Sequence, residues 1–215
     1  MSNCCSPTVT NFDDVIGLDS LLRHVIPEVP EVPHDMALDR IRQSYTEFAR
    51  KTLLITYRQT QDYQTDVHDY FLTPPDGYEV YQVLGLESPG YRYVDYWQGG
   101  RVGLWNTKLD VIDNKVLYLH RSPSVDTENG LHIFMQVLPG RCCNTIPNSI
   151  DVPFGYGIAK GALASLQRIP GKPWTNLGIS RANELEFNRI VLAGKNLAMT
   201  NRKFGGIIAR GRRVV

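Results

Sequence analysis

The sequence predicts an α+β fold: a helical bundle formed by both chain ends, an inserted antiparallel β domain and an extended C-terminal arm. Residues 36–51 and 177–199 repeat apolar side chains at helical spacing. Residues 53–140 are instead rich in β-branched and aromatic side chains, broken by turn signals. Helical segments that flank a long β segment are therefore expected to meet each other.

The expected domain boundaries are the positions at which the spacing of apolar residues changes. Alternating β patterning begins near Leu53, and helical patterning returns after Asn148. We therefore expect a helical core of residues 1–52 plus 145–200, an inserted β domain of residues 53–144 and an arm of residues 201–215.

Composition limits the class of protein. The 215 residues suit one domain of good size or two small ones, and a hydrophobic fraction of 42% is enough for a packed core. The formal net charge of +1 argues against a general polyanion binder. The chain contains no apolar run of the roughly 18 residues that a membrane span needs, so we expect no membrane contact. Its first five residues do not resemble the start of a secretory signal.

Helical signals come first in the chain. Residues 13–24 carry a short helical apolar face, and Asp35 is a candidate N-cap for an amphipathic helix at Met36–Lys51. Between these two helices, three prolines predict an extended linker over Val25–Pro33. The buried stripe of the second helix is predicted at Leu38, Ile41, Tyr45, Phe48 and Thr52.

Strand signals follow. A strand at 68–72, a Pro74–Gly77 turn and a strand at 78–84 together predict a hairpin, and Asp113-Asn114 predicts a second tight turn. We expect a meander of six or seven short strands, forming a small sandwich or barrel. Besides 53–63, the remaining strand candidates are residues 92–96, 101–105, 116–120 and 131–137.

The last two helices are predicted at Val152–Arg168 and Leu177–Met199. The first contains many glycines and alanines, which let another helix approach closely, and we expect Gly157, Gly161 and Ala164 at such a contact. The second is expected to bury one face, formed by Phe187, Ile190, Val191, Gly194, Leu197 and Ala198.

The arm is the segment that points most clearly to a partner. It contains no acidic residue, its glycines disfavour a helix, and it carries apolar groups that a solvated tail does not need. Such a segment buries too little surface to fold alone and is expected to order on a partner. The predicted partner-binding residues are Arg202, Lys203, Phe204, Ile207, Ile208, Arg210, Arg212 and Arg213.

Histidines and cysteines give no complete catalytic pattern. No two histidines lie four residues apart on a predicted helix, as a zinc helix would require. His120 with His132, or Cys143 with a strand histidine, are the pairings that a hydrolase would use. The pairs Cys4-Cys5 and Cys142-Cys143 form no metal knuckle; reduced cytosolic thiols are the favoured interpretation, and two disulfides between the pairs are the alternative.

Three other groups of residues are better explained by structural roles than by catalytic or ligand-binding roles. Asp66, Asp69 and Asp76 fit neither an EF-hand loop nor a two-metal site. The glycines of Gly155-Tyr156-Gly157 lack the lysine of a phosphate loop. An aromatic cluster at Tyr91, Tyr93, Tyr96 and Trp97 fits a β core or an assembly interface better than a base-stacking site. The sequence therefore predicts no enzyme, no metal and no cofactor.

Several segments resemble the head-to-tail adaptor proteins of tailed bacteriophages. The resemblance covers about residues 35–200. Its most telling parts are the Pro74-Pro75-Asp76-Gly77-Tyr78-Glu79-Val80 turn and the helical return with Gly161-Ala162-Leu163-Ala164 and Pro173-Trp174. Further matching segments are Tyr45 to Phe48, Tyr70 to Thr73, Asn114 to Leu119, Val137 to Pro139, Gly157 to Lys160 and Phe187 to Ala193.

The resemblance implies a virion structural protein of the neck, assembled in the host cytoplasm. Such adaptors form a ring, usually of twelve copies, between the portal and the tail, and they continue the DNA channel. The implied partners are the portal protein, a tail or nozzle protein and further copies of the chain, with non-specific DNA contact in the channel. The basic arm matches in position the C-terminal extension that reaches the portal. The β insertion is large for a podovirus-type adaptor.

Two other classes remain open at the level of sequence. A nucleic-acid-binding module would place Arg210, Arg212 and Arg213 on phosphates, and its DNA affinity would depend steeply on salt. A hydrolase with a β-domain pocket would need a deep cleft that holds a His–Cys or carboxylate pair in contact. These two features separate the alternatives from the adaptor.

Overall fold

A computed structural model describes residues 10–88, 91–94, 109–119 and 125–202. Within them the fold is α+β, which confirms the predicted class. The helices are α1 (Leu22–Val25), α2 (His34–Thr52), α3 (Asn148–Leu166) and α4 (Leu177–Arg202). The strands are β1 (Val15–Gly17), β2 (Thr56–Tyr63), β3 (Asp69–Phe71), β4 (Tyr78–Ser88), β5 (Tyr91–Val94), β6 (Leu109–Ile112), β7 (Val116–Leu119), β8 (Thr127–Pro139) and β9 (Thr145–Pro147).

The three long helices pack on one another. α3 contacts both α2 and α4, and α2 also contacts α4. The Ser44 hydroxyl on α2 donates a hydrogen bond to the Ile158 carbonyl on α3 at 2.7 Å. On the other side of α3, the Ser180 hydroxyl on α4 donates to the Ala164 carbonyl, also at 2.7 Å. Elements from both sides of the β segment therefore share one packed core.

The glycines of α3 permit this packing. A Cβ atom added at Gly157 would lie 2.6 Å from the Ile190 side chain of α4. One added at Gly161 would overlap Ser44 and lie 2.7 Å from the Phe187 ring. Ala164 is buried at the same contact. The small residues thus lie where α3 meets its two neighbours, as the sequence predicts.

The N-terminal segment differs from the prediction. Residues 13–24 do not form one helix: β1 pairs with β9, and a 3₁₀ turn at Leu18–Leu21 precedes the single turn of α1. The predicted extended linker is also wrong, because Ile26–Glu28 forms a second 3₁₀ turn. Pro27 lies at the start of this turn, where a missing N–H is tolerated. Val29 and Val32 are buried and hold this segment on the core.

The second helix begins earlier than predicted. Pro33 is the N-cap of α2, with no side-chain cap, and Asp35 lies within the first turn. A carboxylate there still interacts favourably with the positive end of the helix dipole. Of the predicted stripe, Ile41, Tyr45, Phe48 and Thr52 are buried.

The strands do not form the predicted meander. β1 and β9 form a two-stranded sheet, a four-stranded antiparallel sheet has the order β2-β8-β4-β5, and a three-stranded sheet has the order β3-β7-β6. The predicted hairpin across Pro74–Gly77 is wrong, because β3 pairs with β7 whereas β4 pairs with β8. This turn therefore joins two different sheets, and Gly77 at its end has a positive φ of 81°.

The second predicted turn is confirmed. Asp113 and Asn114 have φ angles of 50° and 55°, and the Lys115 N–H donates to the Ile112 carbonyl at 2.9 Å. Both central residues are left-handed, as in the primed turns that connect tight hairpins. β6 and β7 pair across this turn, so their register is fixed locally.

Candidate functional site

The predicted partner-binding arm begins where α4 ends. Arg202 is the last residue of α4, and the other seven predicted residues, from Lys203 to Arg213, lie outside the described residues. The structure therefore places the root of the arm at the C-terminus of the bundle and leaves its contacts as a prediction.

α4 carries a second apolar stripe that the sequence prediction did not include. Phe187, Val191 and Ala198 are buried, as predicted, but Leu197 is exposed. Leu185, Leu192 and Met199 are 72%, 61% and 55% exposed. They follow one another at intervals of seven residues, which is about two turns, so they lie in line on the face away from the core. The seven-residue spacing is the sequence signal that could have revealed this stripe.

The outer stripe has the composition of an interface. Arg181 and Arg189 are exposed on the same helix, and the described contacts of α4 lie on its opposite face. A helix that is apolar on two faces is typical of a position between two packed layers. The described fold supplies one of those layers, through α2 and α3.

The described residues that a hydrolase would use have other partners. The His132 ring is hydrogen-bonded to the Thr60 hydroxyl at 3.1 Å, and His120 lies outside the described residues. His68 is hydrogen-bonded to the Leu119 carbonyl and stacks on Tyr118. Cys142 is an exposed free thiol and Cys143 a buried one. The Cys143 thiol donates a hydrogen bond to the Thr145 carbonyl.

A buried hydroxyl network surrounds Cys143. The Tyr45 and Tyr78 hydroxyls are 3.0 Å apart, and Tyr78 donates to the Thr145 carbonyl at 3.1 Å. Tyr45 is then the donor in the pair. The Cys143 thiol donates to the same carbonyl at 3.2 Å. The network joins α2, β4 and the β8–β9 connection, so it fastens the helices to the sheets.

Burial keeps both phenols neutral. Desolvation raises the pKa of Tyr45 well above its usual value, and the neighbouring Tyr78 hydroxyl raises it further. Desolvation likewise raises the pKa of Tyr78, although the hydrogen bond that it accepts from Tyr45 acts in the opposite direction.

These shifts predict a loss of stability in alkali. Below a pH of about 10 the phenols are protonated in both the folded and unfolded states; above it, the unfolded state loses protons that the folded state retains. The free energy of unfolding should fall by about 1.4 kcal/mol per pH unit for each tyrosine as the pH rises from about 10. Urea unfolding of the wild type between pH 8 and pH 11 measures this slope. Tyr45→Phe should have a shallower slope than the wild type; equal slopes in the two proteins would contradict the prediction.

The acidic and glycine constellations do not form sites, and the aromatic cluster lies partly outside the described residues. Among the described residues, no three His, Cys, Asp or Glu side chains are placed to hold a metal ion. Gly155 and Gly157 lie inside α3 rather than in a loop. In the aromatic cluster, Tyr91 and Tyr93 are on β5, and Tyr96 and Trp97 lie outside the described residues.

An open groove runs between α2 and the turn after β8. Its volume is about 830 Å³, and it is lined mainly by charged side chains of both signs, including Arg50, Glu79 and Arg141. Arg42 in this groove donates to the Cys143 carbonyl and to the Asn144 side chain. Among the described residues that line it there is no histidine or cysteine. The groove therefore lacks the pairs that a thiol or histidine hydrolase would require.

The chain matches no protein-family model, and no curated protein is significantly similar to it. Among the described helices, none is long and apolar enough to cross a membrane. Any function proposed for the protein therefore depends on its own residues and on the resemblance described above.

Proposed function

We propose that this protein is a head-to-tail adaptor of a tailed bacteriophage, a non-enzymatic structural protein that forms a ring between the portal and the tail. In this proposal residues 1–52 and 145–200 form the ring-building helical core. Residues 53–144 form the inserted β domain, and residues 201–215 form the arm that reaches the portal. The ring lies in the virion neck and continues the DNA channel.

The observation that carries the proposal is the double-faced helix α4. Its inner face packs on a bundle that includes α2, from the other side of the β segment, as expected for the adaptor architecture. Its outer face presents Leu185, Leu192 and Met199 to solvent. Apolar side chains aligned on an exposed helix favour association, because burying each one removes apolar surface from water. A ring needs such a surface on every copy.

The chain's charge distribution also supports an adaptor over a nucleic-acid module. The formal net charge is +1, whereas residues 202–215 contain five basic residues and no acidic one. Basic charge gathered in one terminal segment suits attachment to a single acidic protein surface. A DNA-binding module would usually spread this charge over a folded face.

The outer stripe of α4 supplies a direct test. Leu192→Glu should leave the fold intact, since the side chain is largely exposed, and should reduce the occupancy of the portal by about tenfold or more, because a carboxylate would be buried between copies. Negative-stain images of the purified protein mixed with portal rings measure that occupancy.

Val152→Glu is the matched control for this substitution. Val152 is an exposed valine on α3, 79% accessible and outside the stripe, and its replacement should leave the occupancy unchanged. Normal rings with Leu192→Glu, or equal losses with both variants, would argue against α4 as the contact between copies.

A further inference from the structure

The outer face of the three-stranded sheet exposes an apolar row. Phe71 of β3, Val116 of β7 and Ile112 of β6 are register partners, so they lie side by side on one face. Phe71 is 70% exposed and Ile112 is 52% exposed. On the other face, Tyr70 and Leu117 are buried in the core. The sheet therefore has one face packed on the molecule and one apolar row that faces outward.

The backbone beneath this row is firmly held. The Phe71 carbonyl accepts a hydrogen bond from the Gln59 side-chain amide at 2.8 Å and a second from the Gln61 amide at 2.6 Å. Both glutamines belong to β2, so they tie β3 to the four-stranded sheet. The Leu72 N–H donates to the Lys115 carbonyl at 2.8 Å, which continues the ladder to β7. A partner would thus meet a preorganised surface, which lowers the cost of binding.

The sheet is also acidic. Residues 64–72 and 109–119 together contain four aspartates, namely Asp66, Asp69, Asp110 and Asp113, against the single basic residue Lys115. Asp69 lies on the same face as Phe71, two residues along the strand, and is exposed. Asp113 lies in the turn next to Ile112 and is also exposed. The apolar row is therefore bordered by negative charge, in a chain whose net charge is slightly positive.

The chain's own C-terminal segment has the complementary chemistry. Residues 203–215 contain four basic residues and no acidic one. Phe204, Ile207 and Ile208 provide apolar groups between Lys203 and the arginines that start at Arg210. In an extended conformation Phe204 and Ile208 would share one face, with Lys203 before them and the arginines after them, which matches an apolar row with an acidic border.

We propose that the outer face of the three-stranded sheet is a docking site for the residue 203–215 segment of a second copy of this chain. The segment lies across the row of Phe71, Val116 and Ile112, and its basic residues face the aspartates. This proposal rests on the proposed ring in one respect, because both require copies of the chain to lie side by side. The same segment cannot occupy a neighbouring sheet and the portal at once, so contact with the portal would release the sheet.

A labelled peptide tests the proposal with the intact protein. A fluorescent peptide of residues 203–215 is titrated with the full-length chain, and its anisotropy is measured. We expect saturable binding that weakens as salt rises, and weaker binding of a scrambled peptide of the same composition. Phe71→Ser should weaken binding by about tenfold or more, since truncating a central aromatic anchor removes most of its contact area. Val125→Ser is the matched control, because Val125 is also 70% exposed and lies outside this sheet.

The outcomes separate this site from the proposed function. Equal binding of the peptide by wild type and Phe71→Ser, or equal binding of the scrambled peptide, would overturn the sheet site and leave the portal experiment untouched. Absence of peptide binding at a protein concentration at which the chain is monomeric would also overturn it, including the case in which the chain's own segment occupies its own sheet. If Phe71→Ser loses the peptide and Leu192→Glu retains it, the sheet site stands whether or not the α4 stripe joins copies on the portal.

Discussion

Gly161→Leu should destabilise the protein by about 2–4 kcal/mol. A Cβ atom at this position already overlaps Ser44 and the Phe187 ring, so the larger side chain forces α3 away from both α2 and α4. Overpacking alone costs about 1–3 kcal/mol. Displacement of Ser44 also breaks its hydrogen bond to the Ile158 carbonyl, which is worth about 1 kcal/mol. For a chain of this size the melting temperature should fall by roughly 4–16 °C.

A second helical glycine provides the control for this prediction. Gly178 lies near the start of α4, where an added Cβ would meet only the Asn176 side chain at an ordinary distance of 3.5 Å. Gly178→Leu should therefore leave the melting temperature within a few degrees of wild type. Thermal unfolding followed by circular dichroism measures both variants. If Gly161→Leu is as stable as Gly178→Leu, α3 has enough space at Gly161 for a larger side chain, and the prediction is wrong.

Deletion of residues 203–215 should leave the fold intact and abolish attachment to the portal. The core contacts described above are all made between residues that precede the deleted segment. Ordering the arm costs about 1–2 kcal/mol of backbone entropy per residue, so apolar anchors and backbone pairing must provide most of its binding. Its arginines would set register and association rate through bidentate contacts to carboxylates.

The arm deletion is measured as the fraction of capsids that carry the protein. A variant in which Arg210, Arg212 and Arg213 are replaced by lysine is the matched comparison, because it keeps the charge and loses the bidentate geometry. We expect intermediate occupancy for that variant. Normal occupancy after the deletion would show that the arm is not the portal-binding segment.

The long helices could be predicted because their own residues specify them. Ile41, Tyr45 and Phe48 recur at helical spacing, so burial of one face follows from the local sequence. The Asp113-Asn114 turn was equally local, since both residues tolerate the left-handed conformation that it needs.

Features that depend on distant partners could not be predicted in the same way. β1 is three residues long, too short to show a period, and forms by pairing with β9 near the other end of the β segment. The Pro74–Gly77 turn has the residues of a hairpin turn, but β3 pairs with β7 and β4 pairs with β8. Turn chemistry determines where the chain reverses and leaves open which strand it meets next.

The candidate sites also differ in whether the local sequence reveals them or the fold creates them. Basic residues in an arm are visible in any sequence, and the arm was therefore the predicted site. The row of Phe71, Val116 and Ile112 is formed by three strands, and the residues become neighbours only through the register. The spacing of Leu185, Leu192 and Met199 is visible in the sequence, but their exposure depends on which face of α4 the other helices cover.

The contact between α2 and α4 has a consequence for how the protein is made. During synthesis, Phe48 leaves the ribosome about 150 residues before Gly194, against which it packs. At a synthesis rate of roughly 5–20 residues per second, the apolar face of α2 remains without its final partner for about 7–30 s. The β segment has time to fold first in that interval, because strands form far faster than the chain grows. A nascent chain stalled before α4 should therefore bind chaperones through α2, and truncated translation products of this protein should aggregate.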